Sequence, residues 1–162
     1  MMHIRNVRKE DLEQLIALEN TGFTPEEAAT KQAFINRIAT ISDTFLIAEE
    51  KNQMIGYVNG PVLSVPFITD DLFDQTIPNP EIGGYQSILG IVVAPDYQGK
   101  GVAGNLLHAF ENQAREKSRL TVTLTCRQSL IAFYEKKGYT NRGIAASQHG
   151  GIQWFNMDKK LS

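Results

Sequence analysis

The chain has 162 residues, a length that fits one domain with a sizeable hydrophobic core. Hydrophobic residues make up 42% and charged residues 21%, and the formal net charge of −2 excludes a bulk electrostatic attraction to nucleic acid. A single cysteine, Cys126, excludes an intramolecular disulfide and a cysteine-rich metal site. The N-terminus has no apolar signal region, and no apolar run has the length of a membrane span. We therefore expect one cytoplasmic domain over residues 1–162, without metal, nucleic acid or membrane as a partner.

The first 65 residues alternate between patterns typical of strands and of amphipathic helices. A second helix is predicted to start at Thr24, the N-cap, with Pro25 at the first helical position and Glu27 three residues after the cap. The hydrophobic periodicity predicts a strand over 2–7, helices over 9–20 and 24–39, and strands over 44–49 and 54–65.

The remaining chain continues this alternation, which indicates a single α/β domain. Residues 68–84 are too polar and too interrupted for a strand, and loops of this length are often functional. Residues 86–93 are apolar nearly throughout and predict a strand buried on both faces. The other predicted elements are a helix over 102–117, a strand over 120–126, a helix over 128–137 capped by Gly138, and strands over 139–144 and 152–157.

The segment 99–104, GKGVAG, is the most informative in the chain. Its glycines leave backbone N–H groups free to face an anion, and the predicted helix adds the positive end of its dipole. This arrangement suits a diphosphate. The segment matches the dinucleotide fingerprint G-x-G-x-x-G, which normally follows its strand directly. Here five residues separate the two, and no acidic residue that could bind a ribose follows about 20 residues later. Arg127 in that region keeps an NADP-binding protein as an alternative.

The same loop also matches a second motif, which begins one residue earlier and is typical of a different cofactor. Residues 98–103, QGKGVA, match Q/R-x-x-G-x-G/A and follow Val93-Ala94-Pro95. Residues 130–139, LIAFYEKKGY, resemble A-x-x-F-Y-E-K-x-G-F. With both motifs in this order, the chain resembles the GNAT superfamily of acyl-CoA-dependent N-acetyltransferases. It departs from the pattern at Arg127, where asparagine is usual, and at Leu130, where alanine is usual.

The segments 55–60, 124–126 and 130–134 resemble the arylalkylamine (serotonin) N-acetyltransferase branch in particular. The superfamily resemblance covers the whole chain. It implies an α/β (α+β) GNAT fold whose mixed central sheet of about seven strands, flanked by about four helices, is splayed between its fourth and fifth strands. It also implies acetyl-CoA as co-substrate, no metal, and a small-molecule amine acceptor, with monomer and homodimer both open.

By the same resemblance, the strand over 86–93 and the glycine loop hold acetyl-CoA. The strand offers backbone groups to the pantetheine, Gly90 hosts a bulge that opens the sheet, and the loop binds the pyrophosphate. The expected acetyl-CoA contacts are Ile91, Val92, Val93, Gln98, Gly99, Lys100, Gly101, Val102, Ala103, Gly104, Ser129, Phe133, Tyr134 and Lys136.

Tyr134 is the expected catalytic acid, because it matches the tyrosine that protonates the leaving thiolate in this superfamily. An unperturbed tyrosine pKa of about 10 lies close to that of an alkyl thiol, which would make the proton transfer roughly balanced. The resemblance implies direct attack by the amine in a ternary complex. Cys126 is therefore expected to be a small buried hydrophobic residue near the cofactor and not a nucleophile.

The general base is less clearly indicated. The two histidines of the arylalkylamine branch correspond to Ser87 and Leu89, so that relay is absent. Glu19, at the end of the first helix, is the best carboxylate candidate for this role. The histidines of the chain, His3, His108 and His149, and the loop acids, Asp70, Asp71 and Glu81, are expected mainly at the surface, although His149 could approach the amine and the acids could attract it.

An apolar acceptor pocket is predicted from the aromatic and proline residues of the loops. Its expected lining residues are Phe23, Pro25, Pro61, Phe67 and Phe73, with Val65 as a further candidate. Two other functions remain compatible with the sequence. One is acetylation of a protein N-terminus or lysine, and the other is binding of acyl-CoA without catalysis.

Overall fold

The strands of the protein lie in two sheets that share one segment of chain. The computed structural model describes residues 2–147 and 151–161. Within them the strands are β1 (His3–Asn6), β2 (Phe45–Glu50), β3 (Gln53–Asn59), β4 (Val62–Leu63), β5 (Tyr85–Ile88), β6 (Gly90–Val93), β7 (Thr121–Cys126), β8 (Thr140–Ile144) and β9 (Phe155–Lys160). The α-helices are α1 (Leu12–Gly22), α2 (Lys31–Thr40), α3 (Val102–Glu116) and α4 (Ile131–Lys136).

The first sheet has the order β1-β2-β3-β6 and is antiparallel throughout. The second has the order β4-β5-β7-β9-β8, in which β5 and β7 run parallel and the other pairs antiparallel. The predicted mixed α/β fold is confirmed. The strand predicted over 86–93 is divided, because its first half pairs in one sheet and its second half in the other.

The division falls at Leu89. Ile88 makes the last pair with Leu124 of β7, whereas Gly90 already pairs with Asn59 of β3. The amide of Leu89 also donates to the Asn59 carbonyl oxygen at 2.8 Å, so two consecutive residues face one, as in a β-bulge. Beyond this point β6 stays with β3 while β7 stays with β9, and the two strands separate. The predicted splay thus lies between β6 and β7.

Helices cover both faces of the first sheet. On one face α3 buries Leu106 and Phe110 against Val58 of β3 and against residues of β7 and β9. On the other face α1 and α2 bury Leu15 and Phe34 in a second cluster with Phe45 and Tyr57. The covering of both faces explains why β3 is almost completely buried.

The second helix begins at Lys31, six residues after its predicted first helical position, Pro25. Thr30 is its N-cap and accepts a hydrogen bond from the Ala33 amide at 3.0 Å. The predicted capping residues instead close a single turn, in which the Ala28 amide donates to the Thr24 carbonyl at 2.9 Å. The next amide, of Ala29, donates to Glu19 Oε2 at 2.7 Å rather than to a backbone carbonyl. This side-chain bond ends the turn.

Other boundaries shift for local reasons. A 3₁₀ turn over Lys9–Asp11 precedes α1, and another over Gln128–Leu130 precedes α4. The strand predicted over 54–65 ends at Asn59, and the last strand lies three residues later than predicted. No helix among the described residues is long and apolar enough to span a membrane.

The loop over 68–84 is attached to the rest of the protein at several points. Arg37 Nη2 of α2 donates to the Phe73 carbonyl at 2.9 Å. Arg119 Nη1 donates to the carbonyls of Pro80 and Gly83, each at 3.0 Å. The loop contains a 3₁₀ turn over Asp70–Phe73. It is therefore a fixed wall beside α2.

Candidate active site

The separation of β6 from β7 opens a cleft of about 420 Å³. Its floor is the chain from Ile88 to Val93, and its sides are the end of β7, α4 and the segment that joins α1 to α2. The predicted residues that line it are Glu19, Phe23, Phe73, Ile91, Val92, Val93, Gln98, Ser129 and Tyr134. Residues predicted from the two motifs and from the acceptor pocket therefore meet in one cavity.

Pro25, Pro61 and Phe67 were expected in the acceptor pocket but do not line the cleft. Pro25 is exposed on the turn after α1. Pro61 is buried, and its carbonyl accepts hydrogen bonds from the amide of Ser87 at 3.0 Å and from its hydroxyl at 2.6 Å. Phe67 precedes the loop wall and lies outside the cavity. Val65 also lies outside it and is half exposed.

One edge of β6 faces the cleft without a strand partner. The amide of Ala94 donates to the Ile55 carbonyl of β3 at 2.8 Å, which fixes the direction of alternate backbone groups along the strand. Ile91 and Val93 consequently turn their N–H and C=O groups toward the cleft. Gln98 Nε2 already donates to the Val93 carbonyl at 3.2 Å. An extended ligand with amide groups can therefore add to this edge like a strand.

The glycine loop lies immediately before α3. Gly99 and Gly101 have φ angles of +76° and +83°, and the space where their side chains would stand is open. The Asn105 amide closes the first turn of α3 onto the Gly101 carbonyl at 3.0 Å. The amides of residues 102–104 therefore have no acceptor within the helix, and the positive end of its dipole lies behind them. This geometry suits an anionic group such as phosphate.

Lys100, Phe133 and Lys136 lie outside the cleft lining. Lys100 Nζ stands 5.4 Å from the centre of the Tyr97 ring. Phe133 is partly exposed and packs edge-on against Tyr134 at 5.1 Å. Lys136 is exposed on α4. The residues of the glycine loop from Gly99 to Gly104 are likewise outside the cleft lining.

Tyr134 projects from α4 into the cleft and is only 5% exposed. Its hydroxyl has no hydrogen-bond partner among the described residues, and its ring packs against Tyr139 at 5.7 Å. Burial, followed by the charge of Cys126, raises the pKa of Tyr134 well above the expected value near 10. The phenol therefore keeps its proton across the physiological range. The balanced proton transfer expected from the sequence assumed an unperturbed phenol pKa, from which this buried phenol departs.

Cys126 shares the buried wall with Tyr134. The thiol is nearly sealed from water and lies 3.4 Å from the Met157 sulfur. Burial raises the pKa of Cys126 to about 11. Cys126 is thus a protonated, poorly nucleophilic thiol at neutral pH.

Glu19 is one of the carboxylates that line the cleft and is 3% exposed. Its Oε1 accepts a hydrogen bond from the Tyr57 hydroxyl, and its Oε2 accepts one from the Ala29 amide. Burial and then the negative charge of Glu19 raise the pKa of Tyr57, which stays a neutral donor. A Cβ atom at position 90 would lie only 2.9 Å from the Tyr57 hydroxyl, so a side chain larger than glycine would clash with it. Glycine at the bulge therefore admits this pair beneath the cleft.

Two arginines and a tryptophan that the sequence analysis did not assign to the site also line the cleft: Arg37, Arg127 and Trp154. Arg127 forms an ion pair with the buried carboxylate of Glu27. Its signal in the sequence was the departure from asparagine at this position. Arg37 falls on the buried face of α2 with Phe34, so a charge among apolar helix positions was the available signal.

The two positions that correspond to the histidine pair differ in their placement: Leu89 lines the cleft, whereas Ser87 is fully buried and does not line it. His3 and His108 are exposed and do not line the cleft, and His149 lies outside the described residues. The loop acids Asp70, Asp71 and Glu81 also lie outside the cavity lining. Over residues 2–147 and 151–161, no three His, Cys, Asp or Glu side chains are grouped to hold a metal ion.

Sequence comparisons identify related proteins. Residues 9–139 match the model of the acetyltransferase (GNAT) family. An uncharacterized N-acetyltransferase, ycf52, of Porphyra purpurea is 34% identical over 53 residues, which cover 33% of this chain and 30% of that protein. The matched segment thus spans less than a third of this curated relative.

Structural comparisons extend over nearly the whole chain. The GphF GNAT-like decarboxylase in complex with isobutyryl-CoA has a TM-score of 0.84 at 17% identity, covering 99% of this chain and 100% of that one. Naa20 of Chaetomium thermophilum in complex with a bisubstrate analogue has a TM-score of 0.74 at 23% identity, covering 98% and 86%. At these identities the likeness establishes a shared fold.

The Glu27–Arg127 pair predicts a pH-dependent contribution to stability. Burial raises the pKa of Glu27, but hydrogen bonds from Arg127 and Thr24 outweigh it and leave the pKa below its usual value. The contribution is therefore complete above the unfolded-chain pKa of about 4.3 and is lost as the pH falls through the folded-state pKa. We expect Glu27→Gln to lower the free energy of unfolding by about 1–3 kcal/mol at pH 7.

Urea denaturation followed by circular dichroism measures this difference at pH 7 and at successively lower pH. The gap between wild type and variant should narrow in acid. Glu26→Gln is the matched control, because Glu26 is the exposed neighbour on the same turn. Equal stability of wild type and Glu27→Gln at pH 7 would contradict the assignment.

Proposed function

The chain belongs to the acetyltransferase (GNAT) family, and from this premise we propose that it transfers an acetyl group from acetyl-CoA to the primary amine of a small molecule. The observation that carries the proposal is the single cleft, which joins the open edge of β6 to a buried carboxylate, Glu19, with Tyr134 along its wall. An arylalkylamine is the acceptor class that its aromatic lining favours.

The residues at the mouth of the cleft fit acetyl-CoA. The outward backbone groups of Ile91 and Val93 match the amides of a pantetheine arm, and the amides at the start of α3 match a pyrophosphate. The glycines at 99 and 101 leave open space beside those amides. Acetyl-CoA supplies the acetyl thioester and the thiolate leaving group.

Tyr134 donates a proton to the departing sulfur. A thiolate in this cleft is costly, as the neighbouring Cys126 indicates, since burial raises the pKa of its thiol to about 11. The same burial keeps the phenol protonated until the sulfur acquires charge. Donor and acceptor are both desolvated, so the high phenol pKa is partly matched by that of the leaving thiol.

Glu19 accepts the proton of the attacking amine, directly or through water. It lines the cleft together with the aromatic residues Phe23, Phe73 and Trp154. We call the part of the cleft lined by these four residues the acceptor end. These walls suit an aromatic or alkyl amine. The direct attack in a ternary complex needs no covalent enzyme intermediate, in agreement with the buried and protonated Cys126.

A protein N-terminus is a competing acceptor. The Naa20 structure contains a bisubstrate analogue, and a structure of Arabidopsis thaliana Naa50 contains the analogue CoA-Ac-MVNAL. In this chain the turn before α2 is attached to the end of β7 by Glu27 and Arg127, and the loop over 68–84 is attached to α2. Both attachments narrow the acceptor end, which favours a small molecule over a peptide.

Release of free CoA from acetyl-CoA, followed with a thiol reagent, tests the reaction against tryptamine, phenethylamine, spermidine and short peptides. We expect turnover with at least one small primary amine and little with peptides. Preferential turnover of peptides would replace the small-molecule acceptor with a protein. Binding of acetyl-CoA without release of CoA for any acceptor would leave a non-catalytic acyl-CoA sensor.

Tyr134→Phe should reduce kcat by about 100-fold or more, because it removes only the proton donor. The dissociation constant of acetyl-CoA, measured by calorimetry, should change by less than about threefold. Tyr139→Phe is the matched control, since Tyr139 is a buried neighbouring tyrosine bonded to Glu111 away from the cleft. Wild-type kcat in Tyr134→Phe would remove this residue from the mechanism.

Glu19→Gln should also reduce kcat by about 100-fold or more, because the amide retains the shape and one of the two accepting oxygens but cannot take a proton. Steady-state kinetics across pH 6–9 should show the loss at every pH. Tyr57→Phe serves as the control that disturbs the same contact while keeping the carboxylate. If Glu19→Gln kept half of the wild-type kcat, the general base would have to be another group.

A further inference from the structure

Arg37 is a buried charge that lines the cleft and has no ion-pair partner within the part of the chain described. Only 2% of the residue is exposed. Its Nη2 donates to the Phe73 carbonyl, whereas its Nε is sealed from water without any partner. A guanidinium carries five N–H donors, and the described residues accept one hydrogen bond from that of Arg37. The second arginine of the cleft, Arg127, differs in being paired with Glu27.

The surroundings of Arg37 compensate its charge only in part. The Phe34 ring lies 5.7 Å from the guanidinium carbon, and the charges of Glu19 and Asp74 attract it from beyond ion-pair distance. Glu19 is bonded to Tyr57 and Ala29. A buried cation without a close anion is expensive, and desolvation lowers the pKa of Arg37 accordingly. An anion that enters the cleft would relieve this cost.

We propose that Arg37 binds a carboxylate of the acceptor, so that the amine acetylated here also carries a carboxylate group. This inference rests on the proposed function and names the substrate class within it. A planar guanidinium binds a carboxylate through two parallel hydrogen bonds, a geometry that a lysine cannot supply. Glu19 and Asp74 face the same cavity, so the cleft holds negative groups for an ammonium and a positive group for a carboxylate. That charge arrangement complements an amino acid.

Kinetics with matched pairs test the proposal. Phenylalanine is compared with phenethylamine, and 6-aminohexanoate with pentylamine, because each pair differs only by a carboxylate. We expect kcat/KM in the wild type to favour the carboxylated member of at least one pair by about tenfold or more. Arg37→Gln should abolish that preference, because it lowers kcat/KM for the carboxylated member of a pair more than for the plain amine. Preference for the plain amine in both pairs would overturn the inference.

The matched control variant is Arg119→Gln. Arg119 is likewise buried and bonded to loop carbonyls, but it lies outside the cleft. Its loss tests the general effect of removing a buried arginine, and the preference for the carboxylated acceptor should persist. Loss of that preference in Arg119→Gln would assign the effect to the loop and contradict a direct contact with Arg37.

A binding measurement separates this inference from the proposed reaction. Trp154 is the single tryptophan of the chain and lines the cleft, so its fluorescence reports ligands there. Hydrocinnamate, which has a carboxylate but no amine, should bind the wild type at least about tenfold more tightly than hydrocinnamyl alcohol, and Arg37→Gln should remove the difference. If Arg37→Gln does not fold, the wild-type comparison decides alone. Absence of acetylation of every amine would reject the proposed reaction, whereas equal binding of acid and alcohol would reject the role of Arg37.

Discussion

The architecture depends on one segment of chain, residues 85–93, that pairs with a different sheet in each of its halves. Up to Ile88 it is hydrogen-bonded to β7, and from Gly90 onward it is hydrogen-bonded to β3. The bulge at Leu89 carries the chain from one pairing to the other, and the sheet opens on the side that loses its partner. The cleft, the free edge of β6 and the approach of Tyr57 to the floor all follow from this change. The hydrophobic clusters on both faces prevent the gap from closing by collapse.

Charged side chains, rather than apolar packing alone, shape the acceptor end. Glu19 fixes the amide of Ala29, and Glu27 fixes Arg127, so two buried carboxylates attach the segment between α1 and α2 to the cleft. Each carboxylate receives hydrogen bonds that offset its desolvation. Arg37 has one carbonyl acceptor and an Nε without a partner among the described residues, and it lines the cleft, which is why we assign a ligand to it.

Much of the fold, and the part of the site proposed to bind acetyl-CoA, could be predicted from short segments of sequence. Some features depend only on residues close to them in sequence: the glycines before α3, the apolar face of that helix and the cap at Gly138. The residue types alone therefore predicted these features. The acceptor half depends on distant contacts. Glu27 has the letters of a capping box, but its carboxylate also meets Arg127, 100 residues away. Apolar residues such as Pro61 and Phe67 gave no indication of which side of the sheet they would face, and the structure places them outside the cleft lining.

The contact between Glu27 and Arg127 has a consequence for the order of folding. Closing a loop of this length has an entropic cost that must be met before the contact stabilises anything. The first sheet and its helices can largely assemble from the first 93 residues, apart from the α3 side of the core. Glu19 of α1 already holds the segment before α2, but its contact through Arg127 requires β7 to have joined β5. A chain interrupted before β7 would therefore contain the strands of the first sheet and lack one side of the cleft.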